Sequence, residues 1–142
     1  MRFNEALKEL QFKREKRFVL FGEEVHLKDL FISAARSLNP SVLNYYPGDE
    51  IEAKSSLYSK SLFEEDQTII LNYFDDMKTA GFKDIIPKFD GLLVIIFSEL
   101  ANIKLKALTE IIGLCTPVKC GKMSEYGPDY PVWLVSKASE KG

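Results

Sequence analysis

The segment from Gly22 to Asp29 is the first candidate for chemistry, because it follows a predicted strand and precedes a predicted helix. A phosphate-binding loop at such a place has the pattern G-x-x-x-x-G-K-[ST] and holds phosphate with backbone amides. Gly22 and Lys28 match this pattern. Leu27 replaces the second glycine, where a Cβ blocks close approach, and Asp29 replaces the magnesium-binding hydroxyl residue. With two further glutamates in the loop, the sequence predicts poor nucleotide binding.

The acid that a nucleotide hydrolase needs is also missing from its expected position. Such enzymes use an acid pair at the end of a buried strand to hold magnesium and to orient water. The most apolar predicted strand here ends in Phe97-Ser98-Glu99, with no aspartate in the metal-binding place. We therefore expect no ATP hydrolysis, no catalytic residue, no metal site and no cofactor.

Four acidic residues support a rival hypothesis. Glu23 and Glu24 follow the first predicted strand, and Asp75 and Asp76 follow the third. Carboxylates gathered at one edge of a sheet can hold Mg²⁺, so these residues could make a magnesium-dependent phosphoacceptor or a nucleotide-hydrolysing domain. Asp75 and Asp76 also fit the first turn of a helix, where acids are favoured without any catalytic role.

The single histidine and the two cysteines predict no further site. His26 has no catalytic partner nearby in the sequence, and Cys115 and Cys120 alone cannot complete the tetrahedral shell of a zinc ion. The two cysteines are an odd number of residues apart, so on one strand they point to opposite faces. Trp133 fits simple core packing. A reduced, cytoplasmic protein is expected from this low cysteine content.

The segment Ser61-Leu62-Phe63-Glu64-Glu65-Asp66 predicts an interaction site. Leu62 and Phe63 stand side by side between a polar helix and an acidic turn, where neither helical nor strand periodicity requires two large apolar residues. If a loop tip presents them to solvent, each contributes about 1.5–3 kcal/mol on burial in a partner. The acids after them would form a polar rim that attracts a basic surface. The alternative is that one or both side chains pack under the sheet.

These candidates depend on the elements that position them, and the pattern along the chain alternates between strands and helices. A helix from Asn4, its possible cap, to about Phe12 opens the chain. Five apolar segments are predicted strands, at 17–21, 42–46, 67–73, 91–97 and 116–120. Further helices are predicted at 25–38, 50–59, 75–86, 104–112 and 131–139, the one at 75–86 interrupted by Gly81. This alternation predicts an α/β domain with a five-stranded, mainly parallel sheet covered by helices.

Composition narrows the class of protein further. The chain has 142 residues, 46% of them hydrophobic, and a formal net charge of −2, which fits one domain with a substantial core. No apolar run reaches the roughly 18 residues of a membrane span, and the amino terminus lacks the order of a secretory signal. The basic cluster within residues 1–17 includes acids, so direct DNA contact is not expected.

The order of motifs resembles the N-terminal domain of the delta subunit of the bacterial DNA polymerase III clamp loader. The resemblance covers nearly the whole chain, and its motifs are short. They are a leading helix, Arg17-Phe18-Val19-Leu20-Phe21-Gly22-Glu23-Glu24 with Leu27, Ser61-Leu62-Phe63 before Gln67-Thr68-Ile69-Ile70-Leu71, the strand Leu92 to Phe97, and Val118-Lys119-Cys120 before Pro131-Val132-Trp133-Leu134. Their order and spacing carry the resemblance.

The resemblance implies an AAA+-like core whose nucleotide site has been lost. It implies that Leu62 and Phe63 enter a hydrophobic pocket on the sliding clamp and help to open the ring, with Ser61 and Glu64 as flanking contacts. Other clamp-loader subunits are partners of the full-length family members, whose lid and collar domains are expected to be absent from residues 1–142. The acids after Phe63 are unusual for this family.

Overall fold

A five-stranded parallel sheet forms the centre of the protein. The computed structural model describes residues 2–12, 16–38, 41–62, 67–98 and 106–121, without the side chains at 59–62 and 107. The strands are β1 (Arg17–Phe21), β2 (Val42–Tyr45), β3 (Thr68–Leu71), β4 (Leu92–Ile96) and β5 (Thr116–Lys119), in the spatial order β2-β3-β4-β1-β5. All neighbouring strands are parallel; Phe18 lies opposite Val94 on one side and Thr116 on the other.

Helices cover both faces of this sheet. They are α1 (Phe3–Gln11), α2 (Val25–Leu38), α3 (Glu50–Leu62), α4 (Phe82–Ile85) and α5 (Lys106–Gly113). Helices α1 and α2 pack on the face that carries Phe18, Leu20 and Val94. Helices α3, α4 and α5 pack on the opposite face, with Val19 and Ile95. The predicted α/β class and the doubly covered sheet are confirmed.

Strand β4 is the most deeply buried part of the sheet because it is aliphatic throughout. Its sequence is Leu-Leu-Val-Ile-Ile, it pairs with β3 and β1, and its last four residues are buried. Alternate side chains enter the two cores, Val94 on one face and Leu93 and Ile95 on the other. A continuous apolar run therefore predicted this strand correctly.

The beginning of α1 differs from expectation, and the buried stripe of α2 ends before the helix does. Arg2, not Asn4, is the residue before α1, and Asn4 Oδ1 instead accepts a 3.1 Å hydrogen bond from the adjacent Glu5 N–H. In α2 the residue that completes the buried stripe is Ala35, whereas Leu38 is 40% exposed. The stripe ends early because the last turn of α2 extends past the core.

The predicted interruption of the helical segment 75–86 at Gly81 is found, but the pieces on either side are short turns of helix rather than two longer ones. A 3₁₀ turn at Phe74–Asp76, helix α4 and a second 3₁₀ turn at Ile86–Lys88 make up the segment. Gly81, directly before α4, has a φ of +89°, which no α-helix accommodates. The second 3₁₀ turn carries a proline at its start, and proline cannot donate a helical hydrogen bond.

Some predictions lie outside the described residues. They include the last helix at 131–139 with Trp133, the beginning of the predicted helix at 104–112, Glu99, and the two contact candidates Phe63 and Glu64. None of the helices in the described ranges is both long enough and apolar enough to cross a membrane.

Candidate functional site

The carboxyl ends of β1 and β4 mark the topological switch point of the sheet. These strands are neighbours, yet the chain leaves β1 into α2 on one face and leaves β4 towards α5 on the other. In open α/β sheets, ligand crevices lie beyond the carboxyl ends of the strands at such a point. A site is therefore expected at this edge of the sheet. The loop that begins at Gly22 and the acids that follow β3 both lie there.

A cavity of about 570 Å³ opens at this edge. This volume is in the range of sites for small molecules. The cavity combines apolar walls with acidic, amide and hydroxyl groups; its lining residues are Val25, Lys28, Asp29, Ile32, Asn72, Tyr73, Asp75, Asp76, Ile96, Phe97 and Ser98. The predicted candidates Asp75, Asp76 and Lys28 are thus brought together, whereas Glu23 and Glu24 are not in the lining.

Close contact with the end of β5 fixes the loop after β1. Gly22 has a φ of +116°, and a Cβ at this position would lie 2.4 Å from the carbonyl oxygen of Cys120. The same oxygen accepts a 2.9 Å hydrogen bond from the Glu24 N–H. Gly22 is therefore needed for close approach of two backbone segments, and the Glu24 amide is used within the protein.

The amino terminus of α2 is capped by an acid. Glu24 Oε1 accepts a 3.1 Å hydrogen bond from the backbone N–H of His26. First-turn amides are the groups that bind anions at helix N-termini, and here a carboxylate occupies one of them. The Glu24 carboxylate thus adds negative charge at this end of the helix.

Lys28 is held inside the protein by the end of β4. Only 5% of the residue is exposed, and its ammonium donates a 2.8 Å hydrogen bond to the Phe97 carbonyl oxygen. In a phosphate-binding loop the corresponding lysine reaches the phosphates. The hydrogen bond instead joins α2 to the carboxyl end of β4, beside the cavity.

Both carboxylate oxygens of Asp75 accept hydrogen bonds from Ser98, which follows the neighbouring strand β4. Its Oδ1 accepts a 2.9 Å hydrogen bond from the Ser98 N–H, and its Oδ2 accepts a second one from the Ser98 hydroxyl. The ring of Phe74 stacks on Phe97 with centroids 6.2 Å apart, which fixes the 3₁₀ turn that carries Asp75. Asp75 thus closes the cavity wall by joining β4 to the segment after β3.

Metal-ligand clusters are not formed by these acids. Among the residues that the structure describes, no three His, Cys, Asp or Glu side chains lie close enough to hold a metal ion.

Cys115 and Cys120 both carry reduced thiols, and burial raises the pKa of the Cys120 thiol to about 12. A thiol with this pKa is almost entirely protonated at neutral pH, as expected for packing rather than nucleophilic chemistry.

The predicted contact segment begins inside a helix. Helix α3 extends three residues beyond its predicted end, so Ser61 and Leu62 are its last two residues. The loop prediction is wrong for these two positions, and Phe63 and Glu64 lie outside the described residues.

Two exposed apolar side chains on α3 were not predicted as candidates. Ile51 is 79% exposed and Tyr58 is 57% exposed. Their signal in the sequence was the seven-residue spacing of two large apolar residues within a mainly polar helix, which puts both on one face. On the other side of α3, Ala53 and Leu57 are completely buried against the sheet.

Comparisons of the chain with known protein families and with curated proteins find no match.

Proposed function

We propose that this chain is a non-catalytic module of DNA replication that binds a sliding clamp, as the N-terminal domain of a clamp-loader delta-like subunit. In this proposal the sheet is an AAA+-like core without a working nucleotide site. Leu62 and Phe63 contact the clamp, and Ser61 and Glu64 flank them. The domain works in the cytoplasm beside the other clamp-loader subunits and does not itself contact DNA.

The observation that carries the proposal is the position of Leu62. Helix α3 ends at this residue, and five residues separate it from the beginning of β3. The resemblance calls for an adjacent leucine and phenylalanine in the loop before the third strand, and Leu62 is the last residue of the helix that leads into this loop. A rigid helix that is packed on the sheet through Ala53 and Leu57 is a suitable support for such a contact.

Hydrogen bonds within the segment from Gly22 to Asp29 support the proposed loss of nucleotide binding. The groups that would hold phosphate are used within the protein: the Glu24 amide by Cys120, the His26 amide by Glu24, and the Lys28 ammonium by Phe97. A nucleotide would have to displace all three contacts.

Clamp opening by such a module needs binding energy alone. A ligand shifts an equilibrium only by the difference between its affinities for the two states, so the module must bind the open clamp more tightly than the closed clamp. Burial of a leucine and a phenylalanine side chain provides about 1.5–3 kcal/mol each. Contacts of this size that form only with an open ring interface would favour opening by large factors.

Calorimetric titration of the domain into the sliding clamp of its own source tests the proposal. We expect saturable binding by the wild type and loss of binding by Leu62→Ala/Phe63→Ala. Val25→Ala/Leu38→Ala is the matched control, because it removes two apolar side chains that are 46% and 40% exposed on α2. Binding by none of the folded proteins would refute the proposal.

The rival enzyme function is tested with the same preparation. Asp75 and Asp76 line the cavity, and a phosphoacceptor or nucleotide hydrolase would use them with Mg²⁺. Incubation with Mg²⁺ and either ATP or acetyl phosphate should give neither turnover nor a phosphorylated protein. Phosphorylation that Asp76→Asn abolishes would favour the rival.

A further inference from the structure

We infer that the cavity between α2 and the carboxyl ends of β3 and β4 binds an organic cation, that is, an ammonium or guanidinium group on an apolar stem. This inference goes beyond the proposed clamp contact and uses none of its residues. Every residue that lines the cavity belongs to the described part of the chain.

The size and the walls of the cavity favour an organic molecule over a bare metal ion. Its volume of about 570 Å³ is in the range of sites for small molecules. Val25, Ile32 and Ile96 form an apolar part of the wall. Such a wall contacts a hydrocarbon stem well, whereas a hydrated metal ion gains nothing from it. The ligand therefore has an apolar part.

The charges of the lining favour a cation. Asp29 from α2 and the pair Asp75 and Asp76 from the turn after β3 bring three carboxylates to the cavity, and Lys28 is the single cationic side chain of the lining. The Lys28 ammonium donates its 2.8 Å hydrogen bond to the carbonyl oxygen of Phe97. With three carboxylates against one ammonium, the lining attracts a positively charged ligand and repels a phosphate.

Two of the three carboxylates are available to a ligand. Asp75 accepts its hydrogen bonds from Ser98. Asp29 and Asp76 are exposed, and within the described residues neither side chain makes a hydrogen bond or an ion pair. A charge-assisted hydrogen bond from an ammonium or guanidinium to either carboxylate therefore displaces only water.

Tyr73 adds an aromatic group to the same wall. It lines the cavity, and it is 50% exposed. Its φ of +53° is unusual for a residue with a side chain. Two hydrogen bonds hold the segment in place, from the Asn72 N–H to the Tyr45 carbonyl oxygen at 2.8 Å and from the Asp76 N–H to the Tyr73 carbonyl oxygen at 2.9 Å. An aromatic ring close to carboxylates is a combination that binds ammonium and guanidinium groups.

These features together select one ligand chemistry. A metal ion would use the carboxylates but neither the apolar wall nor the ring. A nucleotide would bring phosphates towards three carboxylates, and a neutral apolar molecule would cover charged groups without pairing them. An organic cation contacts the apolar wall, the ring of Tyr73 and the carboxylates of Asp29 and Asp76.

An amide-resolved NMR titration of the whole chain tests the inference with butylguanidinium and with its neutral isostere butylurea. We expect butylguanidinium to shift the amide signals of Asn72, Tyr73 and Ser98 in a saturable way, and butylurea to bind about tenfold more weakly or not at all. Capped arginine and capped citrulline repeat the comparison for a side chain of a partner protein. The tighter of the two guanidinium probes identifies the source of the cation.

Two variants remove the groups that recognise the cation. Asp29→Asn/Asp76→Asn should raise the Kd of butylguanidinium about tenfold or more, because both carboxylates lose their charge. Tyr73→Gly removes the ring, and glycine adopts the positive φ of this position easily, so the variant keeps its fold. It should raise the Kd about 3- to 10-fold. Circular dichroism establishes that each protein is folded.

Matched controls change the same residue types away from the cavity. Asp84→Asn/Asp90→Asn removes two exposed carboxylates that do not line it, so the net charge changes equally. Tyr58→Ala removes a tyrosine that is 57% exposed on α3. Both controls should bind butylguanidinium with the wild-type Kd.

Four results would overturn the inference. They are no saturable shift with butylguanidinium or capped arginine, equal affinity for butylurea and butylguanidinium, an unchanged Kd in Asp29→Asn/Asp76→Asn, and tighter binding of MgCl₂ alone or of ATP alone at the same amides. The last result would assign the cavity to a metal ion or to an anion. None of these results bears on clamp binding, which is measured with other variants.

Discussion

The ammonium of Lys28 donates a 2.8 Å hydrogen bond to the carbonyl oxygen of Phe97, 69 residues away in the chain, and Lys28 is only 5% exposed. This bond joins the first turn of α2 to the carboxyl end of β4 at the switch point of the sheet. A residue type that binds phosphate in nucleotide hydrolases therefore has a structural role here.

Replacement of this lysine should reduce stability. Lys28→Met retains most of the aliphatic stem but leaves the buried Phe97 carbonyl oxygen without this donor, which costs about 1–3 kcal/mol. Lys54→Met is the matched control, because Lys54 also donates to a carbonyl oxygen, that of Ala80, but in an exposed position. Its cost should stay below about 1 kcal/mol. Urea unfolding measures both, and equal losses would contradict the structural role.

The bounds of helices and strands were predicted well where apolar residues recur at a regular spacing along the sequence. Strand β1 and helix α2 have their predicted bounds, because an apolar run and a three- to four-residue apolar spacing each allow one interpretation. The break at Gly81 in the segment 75–86 was predicted, but the 3₁₀ turns on either side of α4 were not. The end of α3 was also mispredicted, because Leu62 fits a helix and a loop equally well by local pattern.

Gly22 should tolerate a side chain much less well than Gly48. Gly22→Ala combines an unfavourable φ of +116° with a Cβ only 2.4 Å from the Cys120 carbonyl oxygen. Gly48 has a similar φ of +103°, but a Cβ added there would meet no atom within 4 Å, so Gly48→Ala carries conformational strain alone. We expect losses of about 1 kcal/mol for Gly48→Ala and about 3 kcal/mol or more for Gly22→Ala.

Thermal or urea unfolding of the two alanine variants gives the comparison. The difference between them measures the steric conflict with the end of β5, because the strain in φ is nearly the same. If Gly22→Ala were no less stable than Gly48→Ala, the close approach of the loop to Cys120 would be wrong.

The candidate site was predicted only in part. Asp75 and Asp76 could be placed at a sheet edge because they follow a strand, and the structure confirms that they line a cavity there. Their partners could not be predicted, since Ser98 lies 23 residues from Asp75 and no local pattern links the two. Lys28 sits among buried positions of α2, so helical spacing offered a weak signal that its stem is buried.

The pairing of Asp75 with Ser98 predicts a measurable coupling. Ser98→Ala removes the hydroxyl donor and keeps the backbone N–H, whereas Asp75→Ala removes the acceptor of both bonds. In a double-mutant cycle on unfolding free energy, we expect a coupling of about 0.5–1.5 kcal/mol. The same cycle between Asp76 and Ser98 is the control and should give a smaller coupling. Additive losses for Asp75 and Ser98 would mean that the hydroxyl bond is not formed.

The carboxylate of Glu50 should give the protein an acid-dependent loss of stability. Its oxygens accept 3.0 Å hydrogen bonds from the Lys78 N–H and the Gly48 N–H, which tie the start of α3 to two turns. The bond from Lys78 is the largest cause that lowers the pKa of Glu50 below 4.5, followed by those from its own N–H and from Gly48. Because the folded-state pKa is lowered, the stabilisation is present above the unfolded-state pKa and is lost as the pH falls through the folded-state pKa.

Glu50→Gln tests this pH dependence. The variant should be less stable than the wild type at neutral pH, and the difference should shrink progressively as the pH falls below 4.5, where the wild-type carboxylate takes up its proton. Glu52→Gln removes a charge from the same turn and leaves both hydrogen bonds of Glu50 in place, so its difference from wild type should vary less with pH. Urea unfolding across this pH range measures the three proteins together. A gap between wild type and Glu50→Gln that stays constant down to the acid limit would show that the Glu50 carboxylate does not carry the effect.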